Sequence, residues 1–147
     1  MKNKKYLIEV NDHQLSLLEF ACELVARLRF GQLSLGGLQD ILEEAWCKTH
    51  KEKIGSDAWY DMREKLEKKL NDLKWDIWKY SPGQSGGVHS DDKADIYFDM
   101  YTVLRHARYL SFDEKGKELM RHTVMADKPM AFGDEPLIKV TKKDEDE

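Results

Sequence analysis

The sequence predicts a single α+β domain that is mainly helical, with about four helices and short strands near both ends. Apolar residues recur at helical spacing in four stretches, and short apolar, β-branched runs lie before the first stretch and after the last. The chain has 147 residues, of which 41% are hydrophobic and 35% are charged, which is typical of a globular protein with one core. We expect the domain to span residues 1–141, with residues 142–147 as an acidic mobile tail.

The first two predicted elements are a strand and a long helix. Tyr6–Val10 is suited to a short strand, and Asn11 and Asp12 are good N-caps for a helix from about residue 13 to residue 30. Gly31 fits the position just after the end of this helix. The core stripe of the helix is predicted to be Leu17, Leu18, Ala21, Leu24, Val25 and Leu28.

Two further helices follow. One runs from the Ser34–Gly37 turn to about Lys48, and the next begins at a cap on Ser56 or Asp57 and runs to about Lys79. The predicted stripe of the second helix is Leu38, Ile41, Leu42, Ala45 and Trp46, and that of the third is Trp59, Met62, Leu66, Leu70, Leu73 and Ile77.

The fourth predicted helix, Asp91–Phe112, has two distinct faces. Its predicted core stripe is Ile96, Met100, Val103, Leu104, Ala107 and Leu110, with Tyr97 at the edge. The opposite side carries what we call the aromatic–arginine stripe: Phe98, Tyr101, Arg105 and Tyr109. A solvated helix would carry Lys and Glu there, so we expect another subunit or a flat ligand to cover this stripe.

Two short strands are predicted after the fourth helix. They are Leu119–Met125 and Pro136–Val140, joined by a Pro- and Gly-containing turn at Asp127–Gly133. Tyr6–Val10 and Leu137–Val140 are candidates for pairing with each other, which would give the small sheet of the α+β class.

Charge and cysteine content exclude several classes of function. The net charge is −4, half of it from the last six residues, so the body has neither the basic face of a DNA- or RNA-binding protein nor the dense acidic face of a DNA mimic. Cys22 and Cys47 are predicted to be buried free thiols, and no spacing suggests structural zinc. No signal peptide or membrane-spanning run is evident, which predicts a cytoplasmic protein.

The strongest candidate for a ligand site combines this stripe with a glycine-rich loop. Arg105 and His106 suit a phosphate while the neighbouring rings stack on a base. His89, together with the Gly86-Gly87 backbone and Ser90, would close the pocket at the start of the fourth helix. A second interpretation stays equally open, in which the loop is a connector and the stripe packs a homodimer.

Two other groups of residues suggest chemistry less strongly. Asp95, Asp99, Thr102 and His106 follow one flank of the fourth helix and suit a metal or a shared proton, but further ligands and a nucleophile are lacking. Arg27, Arg29 and Gln32 lie close to Gly31, and they would complete an anion site if that turn faced the fourth helix.

Several motifs resemble a family of small, largely uncharacterised bacteriophage proteins. They cover most of the chain, and Tyr-x-x-Leu/Ile-Arg-His is the most specific; the longer charged third helix and the acidic tail depart from the family pattern. The matching segments are Asp12–Leu15, Arg29–Leu33, Ile41–Glu43, Gly87–Ser90, Asp99–His106 and Glu135–Val140.

This resemblance suggests a function by analogy with phage proteins that counter host immunity. Several small phage proteins bind and hide a nucleotide second messenger, either a cyclic oligonucleotide or a cyclic ADP-ribose isomer. The resemblance thus implies a homo-oligomeric sequestering protein of the infected bacterium's cytoplasm, without a cofactor or a cleavage reaction. The alternatives are a protein that binds a host protein through the aromatic–arginine stripe, and a hydrolase of the same nucleotide that uses Asp99 and His106.

Overall fold

The structure is a computed structural model that describes residues 4–34 and 37–143. It contains five α-helices and one 3₁₀ turn: α1 (Asp12–Arg29), α2 (Leu38–His50), α3 (Asp57–Trp78), α4 (Asp92–Ser111), α5 (Glu114–Met120) and the turn Val124–Ala126. Within these described ranges there is no strand. The predicted α+β class is therefore wrong, and the fold is all-helical.

The predicted strands fail for two reasons. Tyr6–Val10 and Pro136–Val140 have no regular secondary structure, and although Lys143 Nζ lies 3.4 Å from Glu9 Oε1, the described parts of these ends form no hydrogen-bonded ladder. Two isolated short strands are marginal without a third strand or a packed face. The predicted strand Leu119–Met125 instead spans the end of α5 and most of the 3₁₀ turn.

The four long helices were predicted almost to their ends, because their caps are local. The Asn11 side chain accepts from the Gln14 N–H at 2.9 Å, and the Gln14 side chain returns a bond to the Asn11 N–H. Ser56 caps α3 through the Trp59 N–H, and Asp91 caps α4 in the same way. Such side-chain acceptors satisfy amides that have no partner within the helix.

The core lies between the antiparallel helices α1 and α4. Ala26 and Ala94 are both 0% exposed and share an apolar cluster with Phe30, against which Phe98 packs. The Arg29 guanidinium binds the Asp91 carboxylate at one end of the pair, and Arg108 binds Glu19 farther along. Small residues at the crossing allow the two backbones to approach closely.

The predicted core stripes of α1 and α2 are wrong. Helix α1 buries Glu19, Cys22 and Ala26, whereas Leu17 is 54% exposed. Helix α2 buries its polar side, and its predicted apolar stripe faces outward, with Ile41 and Leu42 each 38% exposed; the buried residues are Gln39, Glu43 and Cys47. Periodicity shows that a helix is amphipathic, but it does not show which side meets a neighbour.

Helices α2 and α3 form a second pair with a polar interior. Arg63 Nε lies 3.3 Å from Glu43 Oε1, and the Arg63 guanidinium also lies over the Trp59 ring. Gln39 Nε2 donates to the same carboxylate at 2.8 Å. Residues of the α3 end join this pair to α1, because a Cβ at Gly31 would stand 3.0 Å from the Tyr80 ring.

Three other predictions concern the cysteines, the tail and a membrane. Cys22 and Cys47 are free and buried, as predicted. Residues 144–147 of the predicted acidic tail, the Gly36 part of the turn before α2, and Lys2 of the N-terminus lie outside the described residues. Among the helices of the described ranges, none combines the length and the apolar character needed to cross a membrane.

Candidate functional site

The aromatic–arginine stripe is largely covered by the chain itself. Tyr101 is 6% exposed and shares a cluster with Cys22 of α1 and with Leu104, and Phe98 packs against both core clusters. Ile138, from the extended C-terminal segment, packs on the same cluster as Tyr101. The expectation that the whole stripe faces away from the core is therefore wrong, since α1 and the C-terminal segment cover its first half.

Arg105 lies where this cover ends, and its guanidinium is held in place by Tyr101. Arg105 Nη1 donates to the Tyr101 hydroxyl at 3.2 Å, and the guanidinium carbon lies 4.9 Å from the centre of the ring. Arg105 Nε is buried and has no hydrogen-bond partner in the described structure. The side chain is only partly buried, so the guanidinium is pre-oriented and keeps unused donors.

Among the described residues, Arg105 is the arginine that forms no ion pair with a carboxylate. Each of the others forms an ion pair with a carboxylate, whereas no such pair involves Arg105 among the described residues; these pairs are Arg27–Glu23, Arg29–Asp91, Arg63–Glu43, Arg108–Glu19 and Arg121–Glu118. A partly buried cation without an internal anion is costly, and an anionic ligand would offset that cost.

His106 and Tyr109 lie beside Arg105 on the outer side of α4. Their rings are stacked with centroids 6.0 Å apart, and both side chains are partly buried. His106 Nδ1 lies 3.4 Å from the Met125 carbonyl oxygen, which fixes the imidazole against the 3₁₀ turn. Of the predicted site residues, Arg105, His106 and Tyr109 are therefore brought together; we call them the Arg105 cluster.

Backbone N–H groups of the glycine-rich loop already have hydrogen-bond partners within the chain. The Gly86 N–H donates to the Phe30 carbonyl at 2.8 Å, and the Ser90 N–H and hydroxyl both donate to the Gly87 carbonyl. The His89 N–H donates to both oxygens of the Asp95 carboxylate, at 2.8 and 3.1 Å. The N–H groups of Gly86, His89 and Ser90 are thus used within the chain and are not free to bind a phosphate.

The loop and the Arg105 cluster also lie far apart. His89 precedes α4, whereas Arg105 lies in its fourth turn, and a rise of 1.5 Å per residue separates Asp92 from Arg105 by about 20 Å. A single small ligand cannot contact both within one chain. The structure therefore separates Gly86, Gly87, His89 and Ser90 from the Arg105 cluster.

The buried carboxylates of Asp95 and Asp99 accept hydrogen bonds from backbone N–H groups and do not form a metal or acid–base site. The Asp99 carboxylate accepts from the Phe132 N–H at 2.9 Å and from the Gly133 N–H at 2.8 Å. Asp95 does the same for His89, which has a positive φ of 67°. The described residues contain no group of three or more His, Cys, Asp or Glu side chains suited to a metal ion.

A small acidic cleft lies beside these two carboxylates. Its volume is about 80 Å³, which is too small for a nucleotide, and its lining is His89, Asp92, Asp95, Phe132, Gly133 and Asp134. Three carboxylates at its wall disfavour a phosphate. The predicted acid–base pair does not meet here either, because Asp99 and His106 are seven residues, or about 10 Å, apart along α4.

The turn at Gly31 does face the start of α4, but its arginines are neutralised there. Arg29 makes two hydrogen bonds with the Asp91 carboxylate, at 2.7 and 3.1 Å, and Arg27 binds Glu23 and Gln32. The Arg29 guanidinium and the Ala94 N–H lower the pKa of Asp91 from its ordinary value of 3.8. These arginines therefore bind groups within the chain, and the region is not the anion site that its residue types suggested.

The backbone roles of Asp95 and Asp99 were missed at the sequence level. Asp99 binds residues that lie more than thirty positions away, and nothing in the local pattern indicates such a contact. Asp95 is six residues from His89, and an Asp shortly after a glycine-rich loop was the one available signal. Buried carboxylates of this kind hold irregular segments in place by binding their amides.

Comparisons with known proteins find no relative of this chain. No protein-family model, no curated protein and no solved structure matches the chain.

Proposed function

We propose that the protein is a phage accessory protein that binds a phosphate-bearing nucleotide and holds it without cleaving it. Its ligand would be an immune second messenger, a cyclic oligonucleotide or a cyclic ADP-ribose isomer, in the cytoplasm of the infected bacterium. One observation carries the proposal: the partly exposed Arg105 is the arginine without a carboxylate partner in the described structure. The phage origin comes from the resemblance of the sequence motifs.

The Arg105 cluster supplies the types of group that such a ligand requires. A guanidinium already oriented by Tyr101 has a planar set of donors for two phosphate oxygens. Tyr109 and His106 offer ring faces next to it, on which a base can stack. Phe98 and Tyr101 belong to the core, so we no longer propose that they contact the ligand. Tyr101 contributes indirectly, because its hydroxyl accepts a hydrogen bond from Arg105.

The alternatives receive less support from the geometry. A host protein cannot dock on the whole aromatic–arginine stripe, because Phe98 and Tyr101 are covered by α1 and Ile138. A hydrolase that uses Asp99 would need a free carboxylate, but both Asp99 oxygens accept backbone N–H groups and the side chain is buried. Sequestration requires only binding groups, which the Arg105 cluster supplies.

Ligand-induced stabilisation of the purified chain tests the proposal. Cyclic dinucleotides, cyclic trinucleotides and cyclic ADP-ribose isomers are added separately, with inorganic phosphate as a simple anion. A ligand at 100 times its Kd stabilises the fold by about 2.7 kcal/mol, which raises the Tm by about 5–10 °C. The ligand should be recovered intact when the protein is denatured.

Substitution of Arg105 assigns the binding to this cluster. We expect Arg105→Ala to weaken binding by about 10- to 150-fold, since a charged hydrogen-bonded contact contributes about 1.5–3 kcal/mol. Arg105→Lys keeps the charge but loses the planar fork, so its affinity should lie between the two. The matched control is Arg121→Ala, which removes an exposed arginine already paired with Glu118 and should leave the affinity unchanged.

Three results would contradict the proposal. They are the absence of any Tm shift across the nucleotides, recovery of cleaved products, and equal affinity of Arg105→Ala and the unsubstituted chain. Circular dichroism accompanies each variant, so that a loss of fold is not mistaken for a loss of binding.

A further inference from the structure

The C-terminal segment, residues 128–143, lies against α4 with very few hydrogen bonds of its own. Within the described structure its backbone forms hydrogen bonds at two residues, since the Phe132 and Gly133 N–H groups both donate to the Asp99 carboxylate. The segment has no regular secondary structure, and its residues are exposed or only partly buried. Segments with so few hydrogen bonds and buried contacts open more readily than the helices on which they pack.

The contact between Gly133 and α4 is too close for a larger residue. A Cβ at Gly133 would stand 3.1 Å from Ile96 Cγ1, 3.2 Å from the Ile96 backbone nitrogen and 3.3 Å from Asp99 Oδ2. Asp99 itself is 4% exposed, so water competes little for its two oxygens. Asp99 therefore fixes the C-terminal segment at one point of α4, and a single methyl group at Gly133 is enough to disturb that point.

A continuous set of aromatic contacts, which we call the ring chain, joins this point to Arg105. The Phe132 and Phe98 rings have centroids 6.0 Å apart, and the Phe98 and Tyr101 rings have centroids 5.7 Å apart. The Arg105 guanidinium carbon lies 4.9 Å from the centre of the Tyr101 ring, and Arg105 Nη1 donates to its hydroxyl. Rings at these separations are in contact, so a displacement of the first requires the next to adjust.

A second residue of the C-terminal segment contacts the same region of α4. Ile138 packs on the cluster formed by Cys22, Tyr101 and Leu104. Among the described residues, no residue of the segment forms a hydrogen bond or an ion pair with Arg105, whose side-chain hydrogen bond is the one to Tyr101. An effect of the segment on Arg105 therefore passes through the rings that lie between them.

We infer that Asp99 is a positioning residue for Arg105: by fixing Phe132, it holds the ring chain that orients the guanidinium. When the C-terminal segment leaves Asp99, Phe132 withdraws from Phe98, and Tyr101 no longer holds the guanidinium in one direction. The consequence for ligand binding rests on the proposed function, in which the oriented guanidinium binds a phosphate. The link between Asp99 and Arg105 exists without a ligand and is tested without one, so its failure is distinguishable from a failure to bind nucleotides.

The NMR signal of the Arg105 Nε–H group in the full chain is the readout. An aromatic ring displaces the signal of a proton near its face, so the signal reports how the guanidinium lies on Tyr101. It is assigned by its loss in Arg105→Lys. The Arg63 Nε–H signal is the internal reference, because that guanidinium lies 5.1 Å from the centre of the Trp59 ring in the other helix pair.

Asp99→Asn weakens the anchor, because the new amide group turns a donor towards the Phe132 N–H. We expect the Arg105 signal to be displaced and the Arg63 signal to stay in place. The matched control is Asp134→Asn, which makes the same chemical change at an exposed residue of the same cleft and should leave both signals unchanged. A change in stability alone does not move the signals of the native state.

Gly133→Ala disturbs the same anchor without removing a charge, and it keeps the inference testable if Asp99→Asn does not fold. We expect it to displace the Arg105 signal in the same direction as Asp99→Asn. Phe98→Leu removes the middle ring of the ring chain, so Gly133→Ala in that background should no longer displace the Arg105 signal.

Amide hydrogen exchange shows whether the C-terminal segment opens by itself. We expect the Phe132 and Gly133 N–H groups to exchange at least about 100-fold faster than those of Val103 and Leu104 in the middle of α4, and faster still in Gly133→Ala. Equal rates at the four residues would overturn the inference. So would an Arg105 signal that stays in place although exchange at Phe132 is accelerated, or one that Gly133→Ala still displaces when the middle ring is absent.

Discussion

The two helix pairs of this protein bury opposite kinds of residue. Between α1 and α4, Ala26 and Ala94 meet with aromatic rings around them, and charged groups lie at the margins as ion pairs. In α2 and α3, the buried residues include Gln39, Glu43 and Lys74, while Ile41 and Leu42 of α2 are each 38% exposed. The first pair therefore has an apolar interior, whereas the buried residues of the second pair are largely polar.

The two pairs also differ in how many of their buried polar groups have hydrogen-bond partners. The α1–α4 pair is closed by its own segments, since Asp95 holds the His89 loop and Asp99 holds the turn at Phe132. In the α2–α3 pair, Gln39 Oε1, Trp59 Nε1 and Asn71 Oδ1 are buried without a hydrogen-bond partner in the described structure. Buried polar atoms without a hydrogen-bond partner are costly, so the interior of the α2–α3 pair contributes less to stability than that of the α1–α4 pair.

The largest expected effect is overpacking of the α1–α4 crossing. Ala94→Leu inserts three carbon atoms where both helices present a fully buried alanine, so we expect a loss of about 3 kcal/mol in the free energy of unfolding. Urea unfolding measures it. Ala58→Leu on the exposed surface of α3 adds the same atoms and should change stability by less than about 0.5 kcal/mol. Equal effects at both positions would mean that the α1–α4 crossing is not the core.

The helices and their ends were predictable because their signals are local. Asn11, Ser56 and Asp91 cap the next few amides, and these residues can be recognised without any knowledge of the fold. The strands failed because an extended segment becomes a strand only when another segment pairs with it. Tyr6–Val10 has the right residues for a strand, but no described segment forms a ladder with it.

The candidate site was only partly predictable, for a related reason. Helix α4 is apolar on two sides, and periodicity alone could not show that α1 would cover Phe98 and Tyr101. The sequence singled out Arg105 by its aromatic neighbours, but only the three-dimensional structure shows that it lacks the carboxylate partner that each other arginine has in the described residues. The loop residues Gly86 and His89 appeared available because the groups that bind their amides, at Phe30 and Asp95, could not be recognised in advance.

A middle-sized effect is expected from the carboxylate that holds the C-terminal segment on α4. Asp99→Ala leaves the Phe132 and Gly133 N–H groups without an acceptor, so we expect a loss of about 2 kcal/mol and faster amide hydrogen exchange at those two residues. Asp92→Ala removes an exposed carboxylate at the start of the same helix and should cost less than about 1 kcal/mol. Unchanged exchange at Phe132 in Asp99→Ala would show that the segment is held by its other contacts.

The smallest expected change in the free energy of unfolding comes from replacing Lys74. Unlike the first two changes, this replacement is expected to stabilise the fold. Lys74 is 2% exposed, and burial lowers the pKa of its ammonium group from the ordinary value of 10.5. Because the native state favours the neutral amine more than the unfolded state does, the charged lysine destabilises the fold at neutral pH. Lys74→Met removes that cost, and we expect a gain of about 1 kcal/mol near pH 7 in urea unfolding.

The pH dependence makes this prediction specific. The cost of Lys74 is complete below its native pKa and disappears as the pH rises towards 10.5, because the unfolded chain binds the additional proton over that interval. The advantage of Lys74→Met should therefore shrink as the pH rises, whereas Lys69→Met, at an exposed position of the same helix, should give a small difference that does not depend on pH. If Lys74→Met is instead destabilising at pH 7, the ammonium group makes interactions that offset the cost of its burial.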